Sequence, residues 1–307
     1  MRVLVTGGAG FIGSNVVKIL EERGIETVVL DDFSSASFKN LDGVKGEVVC
    51  ADVRDESIFK KLGKVDAVIH EGANTDTTFK DDKQMVQVNF NGFKNVFHFC
   101  MQKRIRLVYI SSAGVYGDGP SPMKESQTAR PLNAYAYSKY LCDCYAQKFM
   151  KATYKPAIVG IRYFNVYGPG EYHKGPAASM IYQLFLQMKS GKQPRIFKYG
   201  DQKRDFIYVK DAARLTVEAL QMKHHIIVNI GTGKARSFND IIAALNKAMK
   251  KNLMPDYFDN PYAGVYQDFT EADISVLKKY FKNPPQFSLE NGIHDYVHNH
   301  LLPKETA

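Results

Sequence analysis

Short runs of apolar and β-branched residues alternate with longer amphipathic segments along the first half of the chain. The runs predicted as strands are RVLVT, TVVLDD, EVVCAD, AVIHEGA, LVYISS and AIVGIRYFNV. The amphipathic segments cover residues 11–23, 83–103 and 135–152 and are predicted as helices. Strands that alternate with helices are typical of βαβ units, which place the strands in one parallel sheet. The pattern therefore predicts an α/β fold of the Rossmann type, with a doubly wound parallel sheet.

The alternation of short apolar runs and amphipathic segments changes after residue 165. A Gly/Pro turn there precedes a predicted apolar helix over residues 179–189 and a short strand near PRIFKYG. The segments DFIYVKDAARLTVEAL and HIIVNIGTG are then predicted to return to the sheet. Because 307 residues fit one large domain or two small ones, we predict a larger and a smaller domain built from discontinuous pieces. The larger takes residues 1–164 with about 205–236 and 268–283, and the smaller takes residues 165–204 with about 237–267 and 284–307.

The composition is that of an ordinary globular protein, with 45% hydrophobic and 24% charged residues. The net charge of +9 suits an anionic partner, but lysines and arginines are spread along the chain. A nucleic-acid partner is therefore not expected, whereas a phosphorylated small molecule fits the charge equally well.

The cysteines and the N-terminal segment indicate in which cellular compartment the protein is expected. Cys50 is predicted to end a buried strand and Cys100 a helix, while Cys142 and Cys144 point to different faces of one helix and form no metal-binding pair. No metal site is expected, and reduced thiols are typical of the cytoplasm. The first strand begins too early for a signal peptide, and no apolar run approaches a membrane span. A cytoplasmic protein without membrane attachment is predicted.

A glycine pattern directly follows the first predicted strand. Gly7, Gly10 and Gly13 in TGGAGFIG follow this strand and open the first helix, which begins with Phe11 and Ile12. Glycine lets the backbone approach a pyrophosphate, and the helix N-terminus supplies N–H donors and a positive dipole end. In this strand–turn–helix context the pattern predicts a dinucleotide site.

The acidic residues after the second strand bear on which dinucleotide binds. Asp31 stands where the motif places an acid that bonds the adenosine ribose, and Asp31 followed by Asp32 favours NAD over NADP. Lys39 is the nearby cation in the sequence that could meet a 2′-phosphate. Asp52 is predicted near the adenine, with a surface turn as the alternative.

A catalytic arrangement is predicted between the fifth run and the helix after it. Tyr135 and Lys139 are four residues apart, which places both on one helical face. A tyrosine hydroxyl is a poor base at neutral pH, and a neighbouring ammonium with a nicotinamide cation favours its phenolate. Ser112, at the end of LVYISS, would hydrogen-bond the reacting hydroxyl.

These residues, with RYFNVYGP at 162–169, make the chain similar to the extended short-chain dehydrogenase/reductase superfamily over essentially its whole length. The resemblance implies a tightly held nicotinamide cofactor and a nucleotide-sugar substrate. Sugar-nucleotide dehydratases of that superfamily carry an Asp-Glu pair after the strand-end hydroxyl residue, because elimination needs a second acid and base. Ala113 and Gly114 stand there instead, which argues against elimination.

Four further segments, HEGA, RYFNVYGPGEYHKG, KRDFIYV and YQDFTEAD, resemble the ADP-L-glycero-D-manno-heptose 6-epimerase family of lipopolysaccharide core precursor synthesis. In that family the lysine of the His-Lys-Gly turn is a second acid/base, which implies this role for Lys174. Epimerisation at C6 presents the two hydroxyl protons from different directions, so Tyr135 and Lys174 on opposite sides would each serve one orientation.

The resemblance also implies the remaining contacts and a homo-oligomer. Pro176 and Gln183 stand on the substrate side, where the family has serine and histidine, so the sugar and nucleotide stay open. The family cofactor is NADP, but Asp32 replaces its asparagine, so NADP and NAD both remain candidates. The implied cofactor contacts are Glu71, Gly72, Ala73, Asn74, Asn89, Val166 and Lys174, and the implied substrate contacts are Asn165, Phe197, Lys198, Tyr199, Gly200, Arg204 and Tyr266.

Two other functions compete with this hypothesis. A UDP-hexose 4-epimerase shares Ser112, Tyr135 and Lys139 but manages with a single base, so it would not need Lys174. A cofactor-sensing regulator on the same fold commonly lacks the tyrosine, and Tyr135 argues against it. The fold alone does not separate these functions.

Overall fold

The computed structural model describes residues 1–77, 79–151, 156–259 and 269–302 of the chain. The strands are β1 Arg2–Thr6, β2 Glu26–Asp31, β3 Glu47–Cys50, β4 Ala67–His70, β5 Arg106–Ser112, β6 Ile158–Tyr163, β7 Asn165–Tyr167, β8 Arg195–Phe197, β9 Lys203–Tyr208, β10 Ile226–Ile230, β11 Ala235–Ser237 and β12 Asp256–Phe258. The α-helices are α1 Phe11–Glu22, α2 Ile58–Lys61, α3 Asp82–Val86, α4 Gly92–Lys103, α5 Ala134–Met150, α6 Met180–Lys189, α7 Val209–Ala219, α8 Phe238–Met249, α9 Ser275–Tyr280 and α10 Leu289–Tyr296. Within these residues, none of the helices is long and apolar enough to cross a bilayer.

A seven-stranded parallel sheet lies at the centre, in the order β10-β6-β5-β4-β1-β2-β3. One face packs against α1, α7 and α9, and the other against α2, α4 and α5. Because helices cover both faces, the inner strands are buried throughout, which explains their near-continuous apolar runs. The predicted doubly wound α/β fold is confirmed.

The edge strand differs from the prediction. β3 pairs with β2 and has no strand on its other side in the described sheet, and its residues are mostly exposed. Cys50 is an exposed free thiol, so the prediction that it ends a buried strand was wrong. A central and an edge strand have similar β-branched runs, and only the strand order distinguishes them.

The second part of the chain adds a three-stranded sheet, β11-β9-β7, and a two-stranded sheet, β12-β8. β10 returns to the main sheet as predicted, where it pairs with β6. β9 instead pairs with β7 and β11 in the small sheet, so the predicted return of the DFIYV segment to the main sheet was wrong. A separate hydrophobic cluster joins α6, α8 and α10. This second core supports the division into two domains, whose boundaries stay a prediction.

Candidate active site

Two loops meet at the carboxyl end of the central sheet, between β1 and β4. β1 pairs with β2 on one side and β4 on the other, so the strand order reverses here. Ligands of doubly wound sheets bind in the crevice at such a reversal. The glycine-rich loop after β1 and the loop of residues 71–74 after β4 therefore border the candidate site.

The glycine-rich loop is tightly packed on its inner side and open on its outer side. Gly7 has φ +67°, and a Cβ there would lie 2.5 Å from the backbone nitrogen of Gly72. A Cβ on Gly13 would lie 2.1 Å from the carbonyl oxygen of Gly7. At Gly10, which caps α1, a built Cβ would meet the Gly7 carbonyl oxygen at 3.1 Å and nothing else within 4 Å. Since the first N–H groups of a helix have no partner within it, this open turn fits a dinucleotide pyrophosphate.

Asp31 holds two loops together at the end of β2. Its carboxylate accepts hydrogen bonds from the backbone N–H groups of Ala9 at 3.0 Å and Phe33 at 2.9 Å. Burial raises the pKa of Asp31, and these two bonds oppose the shift. Asp32 and Lys39 are exposed on the segment that follows. The structure thus confirms that Asp31 adjoins the glycine-rich loop, while ribose binding stays a prediction.

A cation from the segment after β3 lies near Asp32. The Arg54 guanidinium contacts Asp52, with Nε 2.8 Å and Nη2 2.5 Å from Oδ2, and also interacts electrostatically with Asp32. Arg54 follows β3 and is far from Asp32 along the chain, so only the pairing of β2 with β3 brings the two side chains together. The sequence indicates this contact only indirectly: neighbouring parallel strands end at the same edge of a sheet, so residues that follow β2 and β3 lie close together. Asp52 is held in an ion pair, and its proximity to adenine stays untested.

Asn89 ties the loop after β4 to α5. Its Oδ1 accepts the N–H of Asn74 at 2.8 Å, and its Nδ2 donates to the Asn74 carbonyl and to Ser138 Oγ, both at 2.9 Å. Asn89 is 2% exposed. It therefore fixes the position of Gly72, Ala73 and Asn74 relative to the helix that bears the predicted catalytic pair.

Glu71 begins the same loop and accepts a hydrogen bond from Tyr163 Oη at 2.9 Å. Burial raises the pKa of Glu71 to about 7, opposed by this hydrogen bond and by the charge of Lys139. Burial also lowers the pKa of His70 to about 3, and Lys139 adds to that shift. A buried cation thus lies close to two titratable groups at the end of β4.

The predicted pair lies in the first two turns of α5. Lys139 is 3% exposed, and its Nζ donates to the Ile110 carbonyl at 2.9 Å and lies 6.0 Å from the ring centre of Tyr135. Ser112 ends β5, and its Oγ accepts the N–H of Gly114 at 3.0 Å. The shared helical face is confirmed, and the catalytic roles stay predictions.

A buried ion pair anchors α5 from behind. Arg162 Nε lies 2.9 Å from Asp143 Oδ2, and these residues are 4% and 1% exposed. Tyr109 and Ser111 of β5 each donate to the same carboxylate at 3.0 Å. Because Asp143 lies one turn beyond Lys139, this network fixes the helix against β5 and β6.

Lys174 is brought to the glycine-rich loop by the fold. It lies in the short 3-10 segment Tyr172–Ala177, and its Nζ is 5.8 Å from the ring centre of Phe11, the first residue of α1. Burial lowers the pKa of Lys174, opposed by Glu171 and Asp76. Lys174 is therefore not an ordinary solvated turn lysine.

Asn40 links three segments around this lysine and was not singled out from the sequence. It is 1% exposed, and its Nδ2 donates to the carbonyls of Ala9 at 3.0 Å and Gly170 at 3.1 Å. His173 Nδ1 lies 3.3 Å from the same nitrogen. The loop after β2, the glycine-rich loop and the lysine turn are thus connected through one side chain.

On the substrate side, Gln183 Nε2 donates to the carbonyls of Pro176 at 2.9 Å and Ala178 at 2.8 Å. The two departures from the family pattern therefore contact each other, and Gln183 supports the turn that holds Lys174. Tyr266 lies outside the described residues. Val166, a predicted cofactor contact, lies on β7. The other predicted substrate contacts are placed as follows: Asn165 on β7, Phe197 ending β8, Lys198 paired with Asp259 at 2.8 Å, Tyr199 69% exposed, Gly200 with φ +76°, and Arg204 3% exposed on β9.

Comparison with known proteins gives a consistent result. The ADP-L-glycero-D-manno-heptose-6-epimerase of Brachyspira hyodysenteriae is 40% identical over 308 residues, which cover 96% of each chain. The crystal structure of ADP-L-glycero-D-manno-heptose-6-epimerase from Helicobacter pylori has a TM-score of 0.91 at 34% identity, over 98% of this chain and 96% of that one. A UDP-N-acetylglucosamine 4-epimerase from Methanobrevibacter ruminantium has a TM-score of 0.90 at 29% identity, over 96% of both chains. The NAD dependent epimerase/dehydratase family matches residues 3–231, and the chain belongs to this family.

Proposed function

We propose that this protein interconverts ADP-D-glycero-D-manno-heptose and ADP-L-glycero-D-manno-heptose by transient oxidation at C6. The observation that carries the proposal is the position of Lys174, partly buried beside Phe11 at the start of the dinucleotide-binding helix. A UDP-hexose 4-epimerase needs no such lysine. The identity to named heptose epimerases over nearly the whole chain supports the same substrate.

The reaction needs proton transfer on two sides of the sugar. A bound nicotinamide supplies the hydride acceptor and donor. Tyr135 takes or returns the hydroxyl proton of one C6 configuration, and Lys174 does so for the other, because inversion turns the hydroxyl to the opposite side. Burial favours the neutral form of Lys174, so it alternates between base and acid more readily near neutral pH than an exposed lysine.

The remaining groups assist proton transfer or bind the substrate. Lys139, held by the Ile110 carbonyl, stabilises the phenolate of Tyr135 through its positive charge. Ser112 donates a hydrogen bond to the reacting hydroxyl oxygen. Arg204 binds the diphosphate of the substrate through its planar donor fork, together with residues 197–200. Asn165 binds the sugar, and Tyr266 binds the far end of the substrate.

The cofactor is a nicotinamide dinucleotide on the glycine-rich loop, and we infer that it is NADP. Asp31 and Asp32 by themselves favour NAD, because a carboxylate repels a 2′-phosphate. Arg54 interacts electrostatically with Asp32, and Lys39 is exposed on the segment that follows β2. These cations and the family preference support NADP. The enzyme acts in the cytoplasm as a homo-oligomer in lipopolysaccharide core synthesis.

The proposal is tested with Tyr135→Phe and Lys174→Met. Each should lower the rate of epimerisation about 100-fold to 10,000-fold, the usual contribution of a positioned acid or base. Lys192→Met, at an exposed turn lysine, is the matched control and should keep the wild-type rate. NMR of ADP-D-glycero-D-manno-heptose incubated with each variant measures inversion at C6.

Further outcomes separate the alternatives. An aldehyde analogue that is both oxidised and reduced at C6 should still react with either single mutant, but not with the double mutant. A wild-type rate in Lys174→Met would contradict the two-base mechanism. Conversion of UDP-glucose in place of the heptose substrate would establish the 4-epimerase alternative.

A further inference from the structure

Glu171 is a buried carboxylate that closes the turn around Lys174. It is 1% exposed. Its Oε1 accepts the N–H of Gly168 at 3.0 Å and the hydroxyl of Ser179 at 2.9 Å, while Oε2 accepts the N–H of Ser179 at 2.6 Å. Gly168 and Ser179 stand on either side of the turn, so one side chain joins its two ends.

The same residue acts on Lys174 through its backbone and its charge. The N–H of Lys174 donates to the Glu171 carbonyl oxygen at 3.0 Å, which fixes the start of the turn. Glu171 and Lys174 also attract each other electrostatically, and this attraction opposes the effect of burial on the pKa of both groups. A buried carboxylate is costly unless hydrogen bonds and nearby positive charge stabilise it. Glu171 accepts three hydrogen bonds and is attracted to the charge of Lys174.

We propose that Glu171 is the positioning residue of Lys174, holding its turn closed and supplying the negative charge that balances its ammonium. This inference rests on the proposed function for the role of Lys174 in proton transfer. Glutamine keeps the length of the side chain, but it removes the charge and replaces one acceptor oxygen with a donor. Glu171→Gln therefore weakens both the closure of the turn and the negative charge that balances the Lys174 ammonium.

Other ionisable groups surround the pair. Asp76 and His173 also face Lys174, and Tyr182 and Tyr296 face Glu171. Asp76 keeps part of the negative charge near Lys174 when Glu171 is neutralised. The pKa of Lys174 should therefore fall in Glu171→Gln, while the charge of Asp76 continues to favour the ammonium form.

The first test measures Lys174 without reference to turnover. Trace acetylation with acetic anhydride across a pH series, followed by mass spectrometry of the Lys174 peptide, gives the pKa of this amine. Glu171→Gln should lower it by about one to three units, the usual effect of removing a close opposite charge. Asp211→Asn is the matched control, because Asp211 is also 1% exposed and accepts the N–H groups of Gln286 and Phe287. An unchanged pKa in Glu171→Gln would overturn the proposal.

The second test asks whether Glu171 acts through Lys174. Glu171→Gln should lower the epimerisation rate at least about ten-fold and shift its pH profile, but cause no further loss in the Lys174→Met background. An equal loss in both backgrounds would show a purely structural role and overturn the proposal. If Glu171→Gln does not fold, Glu171→Asp keeps the charge on a shorter side chain, and the same comparison of backgrounds applies.

The two proposals fail separately. A wild-type rate in Lys174→Met would remove Lys174 from the mechanism and so contradict the proposed function. The acetylation measurement would still decide whether Glu171 controls the charge of Lys174.

Discussion

Replacing Asp143 by asparagine should destabilise the protein strongly, because it leaves a buried arginine without its counter-charge. Asp143 and Arg162 are 1% and 4% exposed, and the carboxylate also accepts hydrogen bonds from Tyr109 and Ser111. Removing one partner of a buried ion pair costs about 3–5 kcal/mol. Asp143→Asn should therefore lose an amount of this order.

The expected change in melting temperature follows from the chain length. At about 2.1 cal/mol/K per residue, 307 residues give an unfolding entropy of about 0.6 kcal/mol/K. A loss of about 3–5 kcal/mol then lowers the melting temperature by about 5–8 °C. Calorimetry of wild type and Asp143→Asn at one pH measures this shift.

An exposed ion pair serves as the control. Arg195 and Asp256 lie 3.0 Å apart, with side chains 60% and 48% exposed, so Asp256→Asn should cost less than about 1 kcal/mol. Replacing both buried partners, in Asp143→Leu with Arg162→Met, should recover part of the loss, because no unpaired charge remains. If Asp143→Asn melts within about 2 °C of wild type, as the control should, the reasoning about this buried pair is refuted.

Two further predictions concern pH and the cofactor. Burial raises the pKa of Glu71 from 4.5 to about 7, so the folded state holds its proton more tightly, and this group lowers stability as pH rises from about 4.5 to about 7. Glu71→Gln should lack this pH-dependent contribution to stability, which is worth at most about 3 kcal/mol. Thermal unfolding at pH 4 and pH 8 should therefore show that the stability difference between wild type and variant changes with pH. An unchanged difference would contradict the raised pKa. Arg54→Ala should weaken NADP binding about ten-fold while leaving NAD binding nearly unchanged, since its guanidinium lies near Asp32. Competitive binding of both nucleotides to apo-enzyme measures this, and equal losses for both would show that Arg54 does not recognise the 2′-phosphate.

Local patterns in the sequence were sufficient for the seven strands of the central sheet, for α1, α5 and α6, and for two parts of the site. The apolar runs predict the inner strands because helices cover both faces of the sheet, and Gly7, Gly10 and Gly13 predict the turn because its geometry is local. Tyr135 and Lys139 share a face through helical periodicity alone, and the structure agrees. Such predictions depend on residues within one or two turns of each other.

Strand order and loop contacts depended on the tertiary structure. The edge position of Cys50 and the pairing of β9 outside the main sheet follow from which strands lie next to each other, which apolar periodicity does not encode. The same holds for the contact of Lys174 with Phe11: the sequence suggests a role for this lysine only through family resemblance, and the turn closed by Glu171 sets its position. Arg54 reaches Asp32 because neighbouring parallel strands end at the same edge. The sequence alone thus determined the local chemistry, whereas long-range packing decided which charged groups meet.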